Sequence, residues 1–457
     1  MVKLETTLVG SDLNFVPPHA GDNFGYSAGF SGNTAVVGAS THDHSSMFAA
    51  GAAYVFVRSA GTWSEQANLI ASDPESLSSF GHSVAIDGDT IAVAAHLKDE
   101  PGIVNAGAVY VFVRSGSTWT QQAKLLASDF TQQVGFGDPL ALSGDTLAVG
   151  SPLAPGPIAA GAVYVFVRSG TTWTQEAKLT SNVGRLAESV AIRGDTIVAG
   201  APTHTITSFS EGVARVFRRS GTSWSEEAQL QAPDPQSNDL FGQSCAVWGD
   251  WLMVAAPRQG NTGGAVYTFE RVGATWTWRQ KLVSPIPEWH TTAYFGGALA
   301  LRGNRVMIGA HIADIAPLGS VGRAHLYERS GSNWRPVASM TVTDPRSGTS
   351  FGKAVGLDGD VLFVTNEHGQ GARKAYAYRV EPEVAFCFGD GSLATPCPCA
   401  LPDFVPIPSG APDAGCANSF DLGGARLSAG GLLAPDSLRF WADIGPSYAA
   451  FAFLVKG

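Results

Sequence analysis

The residues of this 457-residue chain that could do chemistry fall into a few local patterns, each of which can be weighed on its spacing. Four cysteines, Cys387, Cys397, Cys399 and Cys416, crowd one segment as C-x9-C-x-C-x16-C. A four-thiolate zinc site uses paired C-x2–4-C knuckles, which this spacing lacks, so disulfides are expected there instead. Four cysteines allow three pairings. A C-x-C pair is awkward to close on itself, which favours Cys397 and Cys399 each bonding to Cys387 or Cys416. Disulfides imply an oxidising compartment. Gly81-His82-Ser83-Val84-Ala85 and Gly242-Gln243-Ser244-Cys245-Ala246 imitate a serine nucleophile elbow but lack its closing Gly and its strand-to-helix turn. His42-Asp43-His44 offers two imidazoles with no third metal ligand nearby in sequence. Arg193-Gly194-Asp195 spells a cell-adhesion tripeptide. Glycosidic hydrolysis needs two carboxylates placed together. Asp73, Glu75, Asp99, Glu100, Asp234, Asp239, Glu288 and Asp344 show no paired or repeated pattern, and Arg185, Arg258 and Arg346 are scattered likewise.

What must position these residues is a repeat. FGHSVAIDGDTIAVAA at Phe80 returns as FGDPLALSGDTLAVGSP at Phe136, FGQSCAVWGDWLMVAAP at Phe241 and FGKAVGLDGDVLFVTNE at Phe351. With Phe24, Phe295 and a degenerate copy at Leu186-Ala187, the anchors lie 56, 56, 50, 55, 54 and 56 residues apart. A period near 50 with strand-like content points to a solenoid or a propeller. Each unit reads as four strands. SVAI ends at a hairpin turn such as Asp87-Gly88-Asp89, where Gly and Asp tolerate positive φ. IAVGAP follows as the second strand. GAVYVFV is apolar on both faces, as in a strand sandwiched between sheets. The fourth strand alternates, with Trp173, Ala177 and Leu179 on one face and Thr174, Glu176 and Lys178 on the other. The seventh unit lacks its fourth strand, whereas Leu4 to Asp12 matches Gln121 to Asp129 with no unit before it. An N-terminal strand completing the last sheet removes an open edge. The fold expected is all-β: a seven-bladed β-propeller over 1–384, followed by a small cysteine-containing partial β domain over 385–457.

The alternation of Phe-Gly with Gly200-Ala201-Pro202 and its variants resembles the FG-GAP repeat of integrin α-subunit heads and many bacterial secreted proteins. In integrins the first hairpin is often a Ca²⁺ loop rich in Asp. Here that hairpin reads DGD, SGD or RGN, too few oxygens for an ion that takes six to eight. The resemblance is therefore to a calcium-free, bacterial secreted branch, with no metal and no cofactor expected. The repeat explains Arg193-Gly194-Asp195 as one more hairpin turn. Ser169-Gly170-Thr171-Thr172-Trp173 is similar to the Asp-box turn of sialidase propellers without its Asp, so Trp63, Trp119, Trp173, Trp224, Trp276 and Trp334 are expected to pack between blades. Cys245 takes the place of Val84 and Val190 and is expected as a buried core thiol.

A net charge of −10 with only 15% charged residues leaves no electrostatic footprint for nucleic acid or an anionic membrane. No apolar run of 18 residues exists to span a bilayer. The N-terminus is polar and belongs to the fold, so it is not a signal peptide. Loops 1–2 and 3–4 of each unit are tight turns of nearly fixed sequence. Loops 2–3 and 4–1, on the opposite face, vary: compare His96 to Ala106, Leu153 to Ala160 and Pro285 to Tyr294. Binding residues favour loops on a rigid scaffold, and Trp289 and His290 form an unrepeated aromatic and polar pair there. The function expected is a non-catalytic, extracellular binding or adhesion module, secreted or at the cell surface. It would be monomeric and engage a protein or glycan through the variable face. The alternative is a propeller glycosidase or lyase with its site in the central cavity.

Overall fold

A Phe-Gly pair opens each repeat because the chain there must bury a large ring and then pass close to another backbone. In the computed structural model Phe80 is 1% exposed. Gly81 has φ +89°, and a Cβ on it would lie 2.2 Å from the Ala52 carbonyl oxygen. Only glycine meets both demands without strain. Ala187, which replaces this glycine in the degenerate copy, keeps the left-handed backbone at φ 72°. The structure describes residues 2–13, 21–44, 46–129, 135–154, 161–260, 263–286, 293–367 and 373–381, together with the backbone of three strands beyond.

The repeats fold into four-stranded antiparallel sheets of meander order. In blade two these strands are Phe80–Asp87, Thr90–Ala95, Ala108–Ser115 and Thr118–Leu125. Each blade's first strand packs beside that of the next. The last of these inner strands, Phe351–Asp358, packs beside the first, Phe24–Ser31, which closes a ring of seven. The seventh sheet joins the N-terminal strand Val2–Leu8 to Ala375–Val380, Val361–Asn366 and Phe351–Asp358, as the sequence predicts. Second and third strands are almost wholly buried (all six residues of Thr90–Ala95, for example), so the core sits as layers between blades.

Side chains at or next to the inner strands also tie the blades. Ser189 Oγ donates to the Gly242 carbonyl at 2.7 Å, Ser244 Oγ to Gly296 at 2.6 Å and Thr365 Oγ1 across the closing seam to Gly25 at 2.6 Å. Ser83 Oγ instead accepts from the Leu140 amide at 3.0 Å. These serines are structural fasteners.

The expected plain alternation of the fourth strand is broken by a β-bulge. Val165 pairs with Ala177 while Phe166 pairs with Gln175, leaving Glu176 as the extra residue. The same irregularity recurs at Gln66, Gln122, Glu227 and Arg279. A bulge re-aims one side chain out of the ladder. Here it aims a carboxylate or amide at the tryptophan of the next blade: Trp119 Nε1 donates to Gln66 at 2.9 Å, Trp173 to Gln122 at 3.0 Å, Trp224 to Glu176 at 2.8 Å and Trp276 to Glu227 at 3.0 Å. Arg279 is a donor and cannot serve Trp334, whose indole nitrogen is buried without a partner among the described residues. The tryptophan series is blade-to-blade packing, as expected.

The C-terminal segment contains a three-stranded antiparallel sheet of Arg426–Ala429, Leu438–Asp443 and Ala452–Val455. Cys387, Cys397, Cys399 and Cys416 lie outside the described residues.

Candidate functional site

On the rim of fixed turns the charged groups are committed to one another. Arg114 Nε donates to Asp89 at 2.7 Å, Arg168 to Asp145 at 2.7 Å and Arg219 to Asp195 at 2.8 Å. Asp195 of the Arg-Gly-Asp turn is thus one member of a repeated structural pair. Arg193 lies over the Trp248 ring, 3.9 Å from its centroid.

Several loop carboxylates are equally engaged. Tyr110 Oη donates to Asp73 at 2.7 Å, Tyr164 to Asp129 at 2.8 Å and Tyr267 to Asp234 at 2.6 Å, and each Asp also holds the lysine in the fourth strand of the tyrosine's blade. Asp99 and Asp239 accept from the backbone amides of Asn105 and Gln236, both at 2.7 Å. His42 is buried with its Nδ1 3.3 Å from Asp22 Oδ2, and that carboxylate raises its pKa. Among the described residues, no cluster of three or more His, Cys, Asp or Glu is arranged to hold a metal.

One position of the repeat escapes this regularity. Two residues after each anchor Phe, the start of the inner strand carries Tyr26, His82, Asp138, Glu188, Gln243, Gly297 and Lys353 in blades one to seven. The register places this position at the mouth of the central channel on the variable face. Contacts run around it: Lys353 Nζ sits 4.6 Å from the Tyr26 ring centroid, Tyr26 and His82 centroids are 4.8 Å apart, and His82 Nδ1 lies 3.6 Å from Asp138 Oδ1. A second variable position follows the Gly-Ala of strand two. There the proline of Pro152, Pro202 and Pro257 gives way to His96, His311 and Glu367. His96 stacks on His82 with centroids 3.8 Å apart, and Glu367 pairs with Lys353 at 2.9 Å.

Desolvation governs protonation in this ring. Burial pushes both His82 and His96 down to about 4, helped by the Lys353 charge and by His82 respectively. Burial also raises the Asp138 carboxyl. The 3.6 Å His82–Asp138 contact is too long for a hydrogen bond, so it does not reverse these directions. Near neutral pH the ring offers neutral imidazoles between an acidic stretch (Asp138, Glu188) and a basic one.

That basic stretch borders a cavity of about 350 Å³ lined by Gln243, Arg258, Tyr294, Gly297, His311, Ile312 and Lys353. It spans blades five to seven of the variable face.

Of the residues that the sequence singled out, Trp289 and His290 lie outside the described residues. The variable face is the face that carries the cavity, and Arg258 lines it. Arg185 is paired with Glu188 and Arg346 with Asp344, so the three arginines form no cluster. Cys245 packs against the core as expected but is less buried than expected: it is partly exposed on its inner strand. Its Sγ is nonetheless held by Ser189 Oγ at 3.3 Å, and desolvation pushes it up to about 12. Polar residues also reach the channel mouth: His82 and Lys353 stand on inner strands, and Asp138 and Glu188 just before them. The signal was present, because a single variable polar position inside a fixed Phe-Gly-x-Ser phrase marks the place where the scaffold is decorated.

No curated protein matches the chain. The FG-GAP repeat profile matches residues 7–56, 63–112, 119–166 and 224–269. Each match begins near the fourth strand of one blade and ends in the third strand of the next, so the sequence repeat is offset from the blade by one strand. That offset is what the N-terminal strand resolves when it completes blade seven. These four stretches are FG-GAP repeats, and with seven blades of one pattern the chain is an FG-GAP β-propeller protein.

Proposed function

We propose that this propeller is a non-catalytic extracellular binding module, secreted or displayed at the cell surface, whose ligand is a protein or glycan seated on the variable face. One observation carries this reading: the two faces differ in what they leave uncommitted. The fixed rim spends its charges in repeated Arg–Asp pairs. The variable face gathers the unrepeated polar ring, the cavity and exposed apolar loop residues such as Phe48, Leu77, Val104, Ile206 and Phe209. Exposed apolar groups rimmed by polar ones mark interaction surfaces. Trp289 and His290 belong to the loop that leads to Tyr294 and are proposed as further contacts. The test is a glycan and extracellular-matrix array probed with the full chain. A ligand lost on replacing ring residues supports the reading, whereas an array without any ligand counts against it.

A second reading, a glycosidase or lyase, draws on Asp138, whose raised pKa suits a general acid and which shares the ring with Glu188. Release of reducing ends or unsaturated products from a polysaccharide panel, abolished by Asp138→Asn, would establish it.

A further inference from the structure

Blade six breaks the ring. Six blades place a side chain at the channel mouth, whereas Gly297 places none. A Cβ on Gly297 would lie 2.8 Å from His311 Nδ1, so the missing side chain makes room both for the imidazole and for the cavity. Gly297 is not among the residues of positive φ, so its backbone alone does not demand glycine. The gap is a feature of side-chain space.

The charges around the gap are unequal. Lys353 is largely neutralised by Glu367 at 2.9 Å. Arg258 has no carboxylate partner among the described residues. Its guanidinium is held over the Tyr294 ring at 5.7 Å from the centroid, and Tyr294 is in turn met edge-on by His311 at 5.3 Å. A guanidinium braced on an aromatic face presents a planar fork that matches a carboxylate. The net excess of about one positive charge suits a monoanion better than a doubly charged phosphate. Gln243, Tyr294 and His311 add hydrogen-bonding groups around the cavity, and Ile312 adds an apolar wall. At about 350 Å³ the space lies at the small end of the range for ligand sites, roughly 300–1,000 Å³.

We infer that the cavity beside Gly297 takes the terminal uronic acid of an acidic glycan, its carboxylate on Arg258 and its hydroxyls on Gln243 and His311. This inference rests on the binding-module reading and names the ligand class for that face.

The experiment is a titration of the full chain with methyl β-D-glucuronide, followed by ligand-observed NMR, with methyl β-D-glucoside, acetate and a short peptide with a free C-terminus as comparators. Saturable binding of the glucuronide alone is expected, weakened about tenfold or more by Arg258→Met and by Gly297→Gln. Gly297→Gln refills the ring and could disturb His311, so Arg258→Met, with its melting curve checked, is the deciding variant. No saturable glucuronide binding, or binding unchanged in Arg258→Met, overturns the inference. So does acetate or the peptide binding as tightly as the glucuronide. An array ligand that binds but ignores Arg258→Met would remove the uronate site while leaving the binding module standing. An array with no ligand would instead remove the module.

Discussion

Trp63 donates its indole N–H to Glu5 Oε2 at 3.2 Å across 58 residues of chain. Glu5 also receives Arg58, whose Nε lies 2.9 Å from the same oxygen. The bond has the form of Trp119 to Gln66, in which the fourth strand of one blade supplies the acceptor for the next. Glu5 therefore does for blade seven what Gln66 does for blade one. Further contacts close the same seam: the Phe30 and Phe363 rings stack at 5.9 Å, and the Gly32 amide donates to Asp358 at 2.5 Å.

Removing residues 1–12 should expose the third strand of blade seven and leave Trp63 and Arg58 without their acceptor. Aggregation or a large loss of stability is expected. Glu5→Ala alone should cost about 2 kcal/mol, the penalty for stranding buried donors. Thermal or denaturant unfolding checks both, and an unchanged curve for the deletion would contradict closure through this strand.

Calcium should not matter to folding. The hairpin carboxylates Asp89, Asp145 and Asp195 already hold arginines. Calorimetry in chelator and in millimolar Ca²⁺ is expected to give the same melting temperature, whereas a ligand bound only by the folded state would raise it.

Acid should destabilise the propeller well above the carboxylate range. Burial lowers His82 and His96 to about 4 and His325 to about 3, so the unfolded chain, with histidines near 6.5, binds more protons than the folded one. Stability is complete above about pH 6.5 and falls as the pH drops toward 4. The loss is on the order of 3 kcal/mol for His82, whose side chain is 17% exposed. His82→Gln, which installs the residue that blade five carries, should flatten this acid limb. An equally steep limb in the variant would show that its titration is not the cause.

Cysteine chemistry should divide along the chain. Non-reducing peptide mapping is expected to find two disulfides among Cys387, Cys397, Cys399 and Cys416. Cys245 should stay unmodified by alkylating reagents in the folded protein at pH 8, because a thiol pushed up to about 12 is hardly ionised there. Stoichiometric zinc in the purified protein would reverse the assignment of the four.

Six Phe-Gly anchors and the hairpins were legible in the sequence because each depends on a local pattern (a buried Phe, a glycine at positive φ, a Gly-Asp turn), and the Leu186-Ala187 anchor and the closing strand because they match other units of the repeat. The bulge at Glu176 was not, since a polar Gln175 on the face of Trp173 and Ala177 does not by itself mark an extra residue. Only the neighbouring Trp224 explains it. The Tyr–Asp pairs were missed because Asp73 belongs to one blade's exit loop and Tyr110 to the next blade. The polar ring was in plain view but was read along the chain, as Gly-His-Ser, rather than across it. Tyr26, His82 and Asp138 become neighbours only once the blades stand side by side.

The central claim is that ligand binds at the variable face and not at the fixed rim. Its most direct test is the affinity of an array-identified ligand for variants of this chain on each side. Trp289→Ala and Lys353→Ala probe the variable face, and Asp195→Ala probes the Arg-Gly-Asp turn. Truncating a buried interface tryptophan costs about 2 kcal/mol or more, roughly thirtyfold in affinity. Losses of that order on the variable face with Asp195→Ala unchanged are the result expected. A ligand indifferent to Trp289 and Lys353 but lost with Asp195 would contradict the account.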